Sequence, residues 1–194
     1  APLSLAASIV LTCLAPTGAT KGGSSIYLAA SLILFGISAL YHRFYWSPRW
    51  EIVWNRLDHS NIFLLIAGTY TPLSIAILPH DQAVTILSIV WGGALLGILL
   101  NLFWPTAPRW LATLIYVALG WVAVWYLPQF WALGGAVIVW LLLAGGILYT
   151  IGAVVYATKK PDLSPRWFGF HEIFHLCTVL AWACHCVAVY LAVL

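Results

Sequence analysis

The chain has 194 residues, of which 63% are hydrophobic and 7% charged, where soluble domains carry about 25% charged residues. That composition excludes a soluble core and indicates an all-α integral membrane protein, because apolar runs this long do not show the alternation of a membrane β-barrel. A net charge of +3 spread over few residues argues against nucleic-acid binding and reads as loop charge that sets topology.

The first apolar run, 3–14, falls short of the roughly 20 residues that a crossing requires. No basic segment precedes it, Pro16-Thr17-Gly18 is a poor cleavage signal, and the chain contains no methionine. A first transmembrane helix truncated at its N-terminus is therefore expected. Proline, glycine and charge bound the later runs, which predict helices at 24–42, 57–78, 83–103, 110–127, 130–157 and 170–193. The expected architecture is a seven-transmembrane helix bundle in one domain, 1–194. The four cysteines, Cys13, Cys177, Cys184 and Cys186, all fall in apolar runs, and they read as buried thiols rather than a disulfide framework.

Charge in the connections orients the bundle. Arg43, Arg49, Arg56, Arg109, Lys159, Lys160 and Arg166 occupy the segments 43–56, 104–110 and 158–169. The alternate connections hold Lys21, beside His80 and Asp81. The positive-inside rule makes the first set cytoplasmic, with the N-terminus inside and the C-terminus outside. Trp46, Trp50, Trp54, Trp104, Trp110 and Trp167 lie near the same connections, as an interfacial belt does.

This orientation brings a set of polar residues to one side of the membrane. Ser38 and His42 close the second run, Asp58 opens the third, and His171 and His175 open the last. Each i, i+4 pair shares a helix face, and ionisable groups inside a membrane are costly and usually functional. Three neutral imidazoles, His42, His171 and His175, suit a catalytic zinc ion with its fourth position open. Such an ion acidifies its water and polarises a carbonyl. Asp58, about one turn into its predicted helix, is positioned to accept that proton, and Ser38 to hydrogen-bond the water, the aspartate or an oxyanion.

Taken singly, these residues have simpler explanations. A lone histidine in a bundle ordinarily bonds a neighbour, Asp58 could favour a helix start through the dipole, and Ser38 could pack helices. His171-Glu172-Ile173-Phe174-His175 also spells the H-E-x-x-H pattern. The motif opens a membrane helix, however, so Glu172 is expected to be an interfacial surface residue, with Asp58 the better base. His185 lies about 15 Å along the helix from His175, too far for the same ion, and is expected to bond across helices. His59 points away from Asp58, and His80 sits in an outer loop.

The segments Ser38-Ala-Leu-Tyr-His42, Leu57-Asp58-His59 through Thr71-Pro72, and His171-Glu-Ile-Phe-His175 with His185 beyond resemble the hemolysin III family. That family is grouped with the progestin and adiponectin receptors and, more distantly, with alkaline ceramidases. The resemblance implies seven helices, an inner N-terminus and zinc near the cytoplasmic face. Carried over by motif, the ligands are His42, His171 and His175, with Asp58 and Ser38 completing the site. A bacterial plasma-membrane location is implied, with membrane lipids as partners. The position of Glu172 is not generally acidic in the family.

Three activities follow as expectations. A zinc-dependent hydrolase would cleave an amide or ester bond in a lipid, as ceramidases do. A cytolysin-type pore needs polar lining across the bilayer, whereas the fourth to sixth helices offer only scattered groups such as Thr85, Ser88, Asn101, Thr113 and Thr150. A sensor or regulator of membrane state would use zinc structurally, tying helices together. In that case Pro72 and the glycine pairs Gly92-Gly93, Gly134-Gly135 and Gly145-Gly146 would permit bending or close packing.

Overall fold

The computed structural model describes residues 2–104, 108–162 and 168–194. Arg166, Trp167 and the side chain of Arg109, assigned above to inner connections, lie outside the described residues. The order is α1 (Pro2–Leu14), α2 (Gly18–Arg43), α3 (Pro48–Ile77), α4 (His80–Phe103), α5 (Arg109–Gly120), a 3₁₀ segment (Trp121–Tyr126), α6 (Leu127–Gln129), a π segment (Phe130–Gly134), α7 (Ala136–Thr158) and α8 (Phe170–Val193), with no strand among the described residues. Six of these stretches are long and apolar enough to cross a membrane: α2, α3, α4, Trp110–Gly134, α7 and α8. The protein is thus a multi-pass, all-α membrane protein. The expected crossing at 3–14 does form a helix, but α1 has 13 residues and spans about 20 Å, less than the roughly 30 Å of hydrocarbon.

The chain divides into two compact units, Ala1–Ala107 with Ala192–Leu194, and Pro108–Leu191. In the first, α2 starts earlier than the hydrophobic run at 24 because a capping box forms ahead of it. Thr20 N–H donates to Thr17 Oγ1 at 3.2 Å, and Thr17 N–H donates to Thr20 Oγ1 at 3.1 Å, which satisfies two otherwise orphaned donors. Helix α3 likewise starts at Pro48 rather than near 57, since proline is pre-organised for the first helical position. With 30 residues it is about 45 Å long. Its first turns are polar and aromatic (Arg49, Trp50, Glu51, Trp54), which is why an apolar-run criterion passes over them.

Helix α3 is the most buried of the six crossing stretches and packs between α2 and α4. Small residues permit this. A Cβ at Gly68 would overlap Ala30 of α2, one at Gly97 of α4 would overlap the Phe63 ring, and one at Gly23 would lie 3.1 Å from the Pro72 Cα. Helix α1 buries Ser4, Ser8 and Leu11 and exposes Leu3, Leu5, Ile9, Val10 and Leu14. A polar face inward and an apolar face outward is the patterning of a helix solvated by lipid.

In the second unit, Trp110–Gly134 forms one apolar rod, where the sequence predicted a break near Pro128. The rod absorbs the proline by winding 3₁₀ over Trp121–Tyr126 and restarting with Pro128 in the first turn of α6, where a missing N–H is tolerated. The reversal falls instead on Gly135, at φ 88° and ψ 164°, a conformation open only to glycine. Helix α7 then packs on α8. A Cβ at Gly152 would lie 3.0 Å from the Cys177 Cβ, and one at Gly145 would overlap the His185 ring. No disulfide occurs among the described residues, and the four cysteines are free thiols; Cys177 and Cys186 are buried as expected, whereas Cys184 is half-buried and Cys13 exposed.

Candidate metal centre

The first unit brings together Ser38, His42 and Asp58. Gly23 lies against Pro72, and Gly68 against Ala30 and Tyr27, so α2 and α3 run antiparallel in a defined register. Carried toward the end of α2, that register sets Ser38 beside Leu57 and Asp58. His42 Nε2 lies 3.7 Å from Asp58 Oδ2, and the Ser38 hydroxyl bonds the same carboxylate. The Asp58 side chain is 12% exposed and that of His42 38%. One side of the cluster is sheltered and the imidazole is open.

Asp58 stands ten residues into α3, about 15 Å from its start, so the helix-start explanation for its charge does not apply. A second tie fixes the pairing near the cluster, where Asn55 Nδ2 donates to the Tyr41 hydroxyl at 3.1 Å. His59 Nδ1 meets the Asn55 carbonyl at 2.7 Å, one turn back on its own helix. His80 opens α4 at the other end of α3. Trp46 and Trp54 pack with ring centroids 4.8 Å apart, beside exposed Tyr45 and Trp50. This end of the unit therefore carries both the aromatic belt and Arg43, Arg49 and Arg56.

The second unit brings together His171 and His175. Their Nε2 atoms are 3.0 Å apart and their rings stand nearly perpendicular, at 83°. Tyr156 and Phe174 pack around His171, with centroids at 6.4 Å and 6.3 Å. Both histidines belong to the first turns of α8, the end of the unit that also carries Lys159 and Lys160.

Glu172 has a different role from the one H-E-x-x-H spells. Its Oε2 accepts the Gly169 N–H at 2.9 Å, and Gly169 O accepts the Ile173 N–H. Glu172 is therefore the N3 half of a capping box, and Asp162 Oδ1 accepts the next free donor, Phe170 N–H, at 3.3 Å. The sequence reading placed Glu172 at the surface, where it is, but missed the cap. The available signal was a glutamate three residues after a glycine at a helix start. His185 bonds across helices as expected, its Nε2 meeting the Leu142 carbonyl at 3.2 Å and its ring lying 5.5 Å from that of Tyr149.

The haemolysin-III-related family model matches residues 1–186. The chain belongs to that family. This haemolysin-III-related chain is 35% identical over 153 residues to Hemolysin-3 of Bacillus cereus, covering 78% of this chain and 66% of the relative. It is 36% identical over 148 residues to the Hemolysin-3 homolog of Bacillus subtilis, covering 75% and 68%. At 26% over 175 residues it is similar to the progestin and adipoQ receptor-like protein 1 of Caenorhabditis elegans, covering 81% of this chain and 40% of the relative. The haemolysin-III-related chain therefore sits within the progestin and adiponectin receptor superfamily. It spans about two thirds of the bacterial relatives and about two fifths of the animal one.

Proposed function

We propose that this chain binds zinc through His42, His171 and His175 and hydrolyses an amide or ester bond in a membrane lipid near the cytoplasmic face. The observation that carries the reading is the pair of converging imidazole nitrogens on α8; within the first unit, a third imidazole lies beside a sheltered carboxylate and a serine. Imidazole donors suit zinc and exclude the oxygen-seeking magnesium and calcium. The 3.0 Å separation of the His171 and His175 Nε2 atoms is close to the roughly 3.3 Å edge of a tetrahedral zinc–nitrogen shell.

The proposed topology supports this reading. Each group lies at the basic end of its own unit, and the positive-inside rule assigns both ends to the cytoplasm. The same rule sets the N-terminus inside and the C-terminus outside, with α1 counted as the first of seven crossings. Its lipid-facing leucines favour that count. The bacterial relatives favour a bacterial plasma membrane.

Bound zinc supplies Lewis acidity and brings the pKa of water toward ~7. The residues of the chain do the rest. Asp58 accepts the proton of the attacking water as the carbon–oxygen bond forms, then returns it to the departing nitrogen or oxygen as the acyl bond breaks. Ser38 holds the Asp58 carboxylate in one orientation and fixes the direction of transfer. Tyr156 and Phe174 form an apolar wall beside His171 that suits an acyl chain.

The test is metal analysis together with turnover of fluorescent ceramides and acyl lipids by purified protein. Stoichiometric zinc, lost on replacing His171 or His175, and turnover lost in Asp58→Ala are expected. Turnover equal to wild type in Asp58→Ala would overturn the hydrolase. Stoichiometric zinc whose removal unfolds the protein, with no lipid ever cleaved, would assign the ion a structural role.

A further inference from the structure

The interior of the first unit is more polar than its hydropathy announces. Helix α2 carries a serine every seventh residue, Ser24, Ser31 and Ser38, and His42 follows one turn later. At 100° per residue these four fall within about 40° of one another on the helix face. Ser24 and Ser31 are 0% exposed. Serine in a buried helix ordinarily returns its hydroxyl to the carbonyl four residues back, as Ser25 does to Lys21 and Thr69 does to Leu65. Ser24 does not, and its Oγ is buried without a hydrogen-bond partner.

An independent group on α3 has the same property. Asn61 is 7% exposed, and its Nδ2 is buried without a partner. Asn61 lies two turns before Gly68, the residue that packs on Ala30 of α2, and so looks toward α2. By the antiparallel register it sits level with Leu34, in the interval between Ser31 and Ser38. From Ser31 through Asn61 to Ser38 the polar positions succeed one another every ~5 Å along the helix axis, a spacing one water molecule bridges with two hydrogen bonds of ordinary length, while Ser24 lies ~10 Å above Ser31, an interval of about three waters.

Orphaned buried donors and acceptors are rare and costly, and the usual partner, where a site is polar, is ordered water. We infer that the α2–α3 seam holds an internal file of water molecules, bound by Ser24, Ser31 and Asn61 and running down to Ser38 beside the metal-site carboxylate. A lipid hydrolase consumes water at a place its substrate reaches from hydrocarbon, and the file is the water store that such a site requires. This goes beyond the zinc reading and does not depend on it, because no metal ligand binds the file above Ser38.

X-ray hydroxyl-radical labelling tests the file, since bound water becomes radical in place and oxidises its neighbours. Tyr27, on the seam one turn from Ser24 and 0% exposed, is the reporter. Phe63, 1% exposed and packed on α4, is the dry control, and fully exposed Tyr45 sets the dose. In full-length protein in lipid nanodiscs, Tyr27 should be labelled and Phe63 should not. Ser24→Val should lose the Tyr27 label and Ser24→Thr should keep it. An unlabelled Tyr27 at a dose that modifies Tyr45 overturns the proposal, as does undiminished labelling in Ser24→Val. If Ser24→Val misfolds, Phe63 becomes labelled and reveals it, and the wild-type contrast between Tyr27 and Phe63 then decides alone.

Discussion

Glu172 shows how far a motif can mislead when each residue is read for chemistry alone. The pattern His-Glu-x-x-His assigns its glutamate to catalysis, whereas the carboxylate bonds the backbone three residues before it. Its replacement should therefore act on the helix start and leave the metal in place. Glu172→Ala is expected to cost about 1 kcal/mol, the usual worth of a capping interaction, read as a lower thermal midpoint, with zinc content unchanged. Loss of zinc in that variant would return Glu172 to the metal site. Ser38, His42 and Asp58 were legible because polar residues in apolar runs are conspicuous. The cap was not, because glycine is a weak capping signal and an acidic residue between two histidines suggests something stronger.

Among the helices, the elements that hydrophobic runs define were legible and their ends were not. Helices α2 and α3 begin at Gly18 and Pro48, where threonine and proline chemistry starts a helix before the apolar stretch does. The predicted break at Pro128 moved to Gly135 because 3₁₀ winding relieves a proline, while a reversal needs a positive φ. Gly135→Ala is accordingly expected to cost about 1–2 kcal/mol of backbone strain, read in the same melt, although nothing lies near enough for a methyl to clash. Gly145→Ala differs in cause, since its methyl would meet the His185 ring and overpacking costs about 1–3 kcal/mol. Combining it with His185→Ala should recover part of that loss. A double mutant that merely adds the two penalties would show that the glycine serves something other than the histidine.

For the whole molecule, sequence composition sufficed for the class and charge asymmetry for a proposed direction. Cysteine labelling checks that direction in a background from which the native thiols have been removed. Tyr45→Cys should be shielded from an impermeant reagent added outside intact cells, and Lys21→Cys should react. The opposite pattern would invert the topology. Because an ion held by His171 and His175 would tie the first turns of α8, chelation should lower the thermal midpoint of wild type. It should leave His171→Ala, already without the ion, unmoved. What composition could not disclose is the interior hydroxyl lining, since serine is only mildly polar and three of them barely change the average of a long apolar run.

The length of α3 has a further consequence. Its 30 residues are about 45 Å in a hydrocarbon layer of roughly 30 Å, and Asp58 lies on the rod itself instead of on a loop. The depth of the carboxylate is thus tied to how the rod settles in its bilayer, through tilt and hydrophobic mismatch. Thin bilayers would lift Asp58 toward the headgroups and thick ones would draw it inward. Turnover measured across phosphatidylcholines of increasing acyl length should pass through an optimum while zinc content stays constant. A hydrolase built this way would sense the thickness of its own solvent.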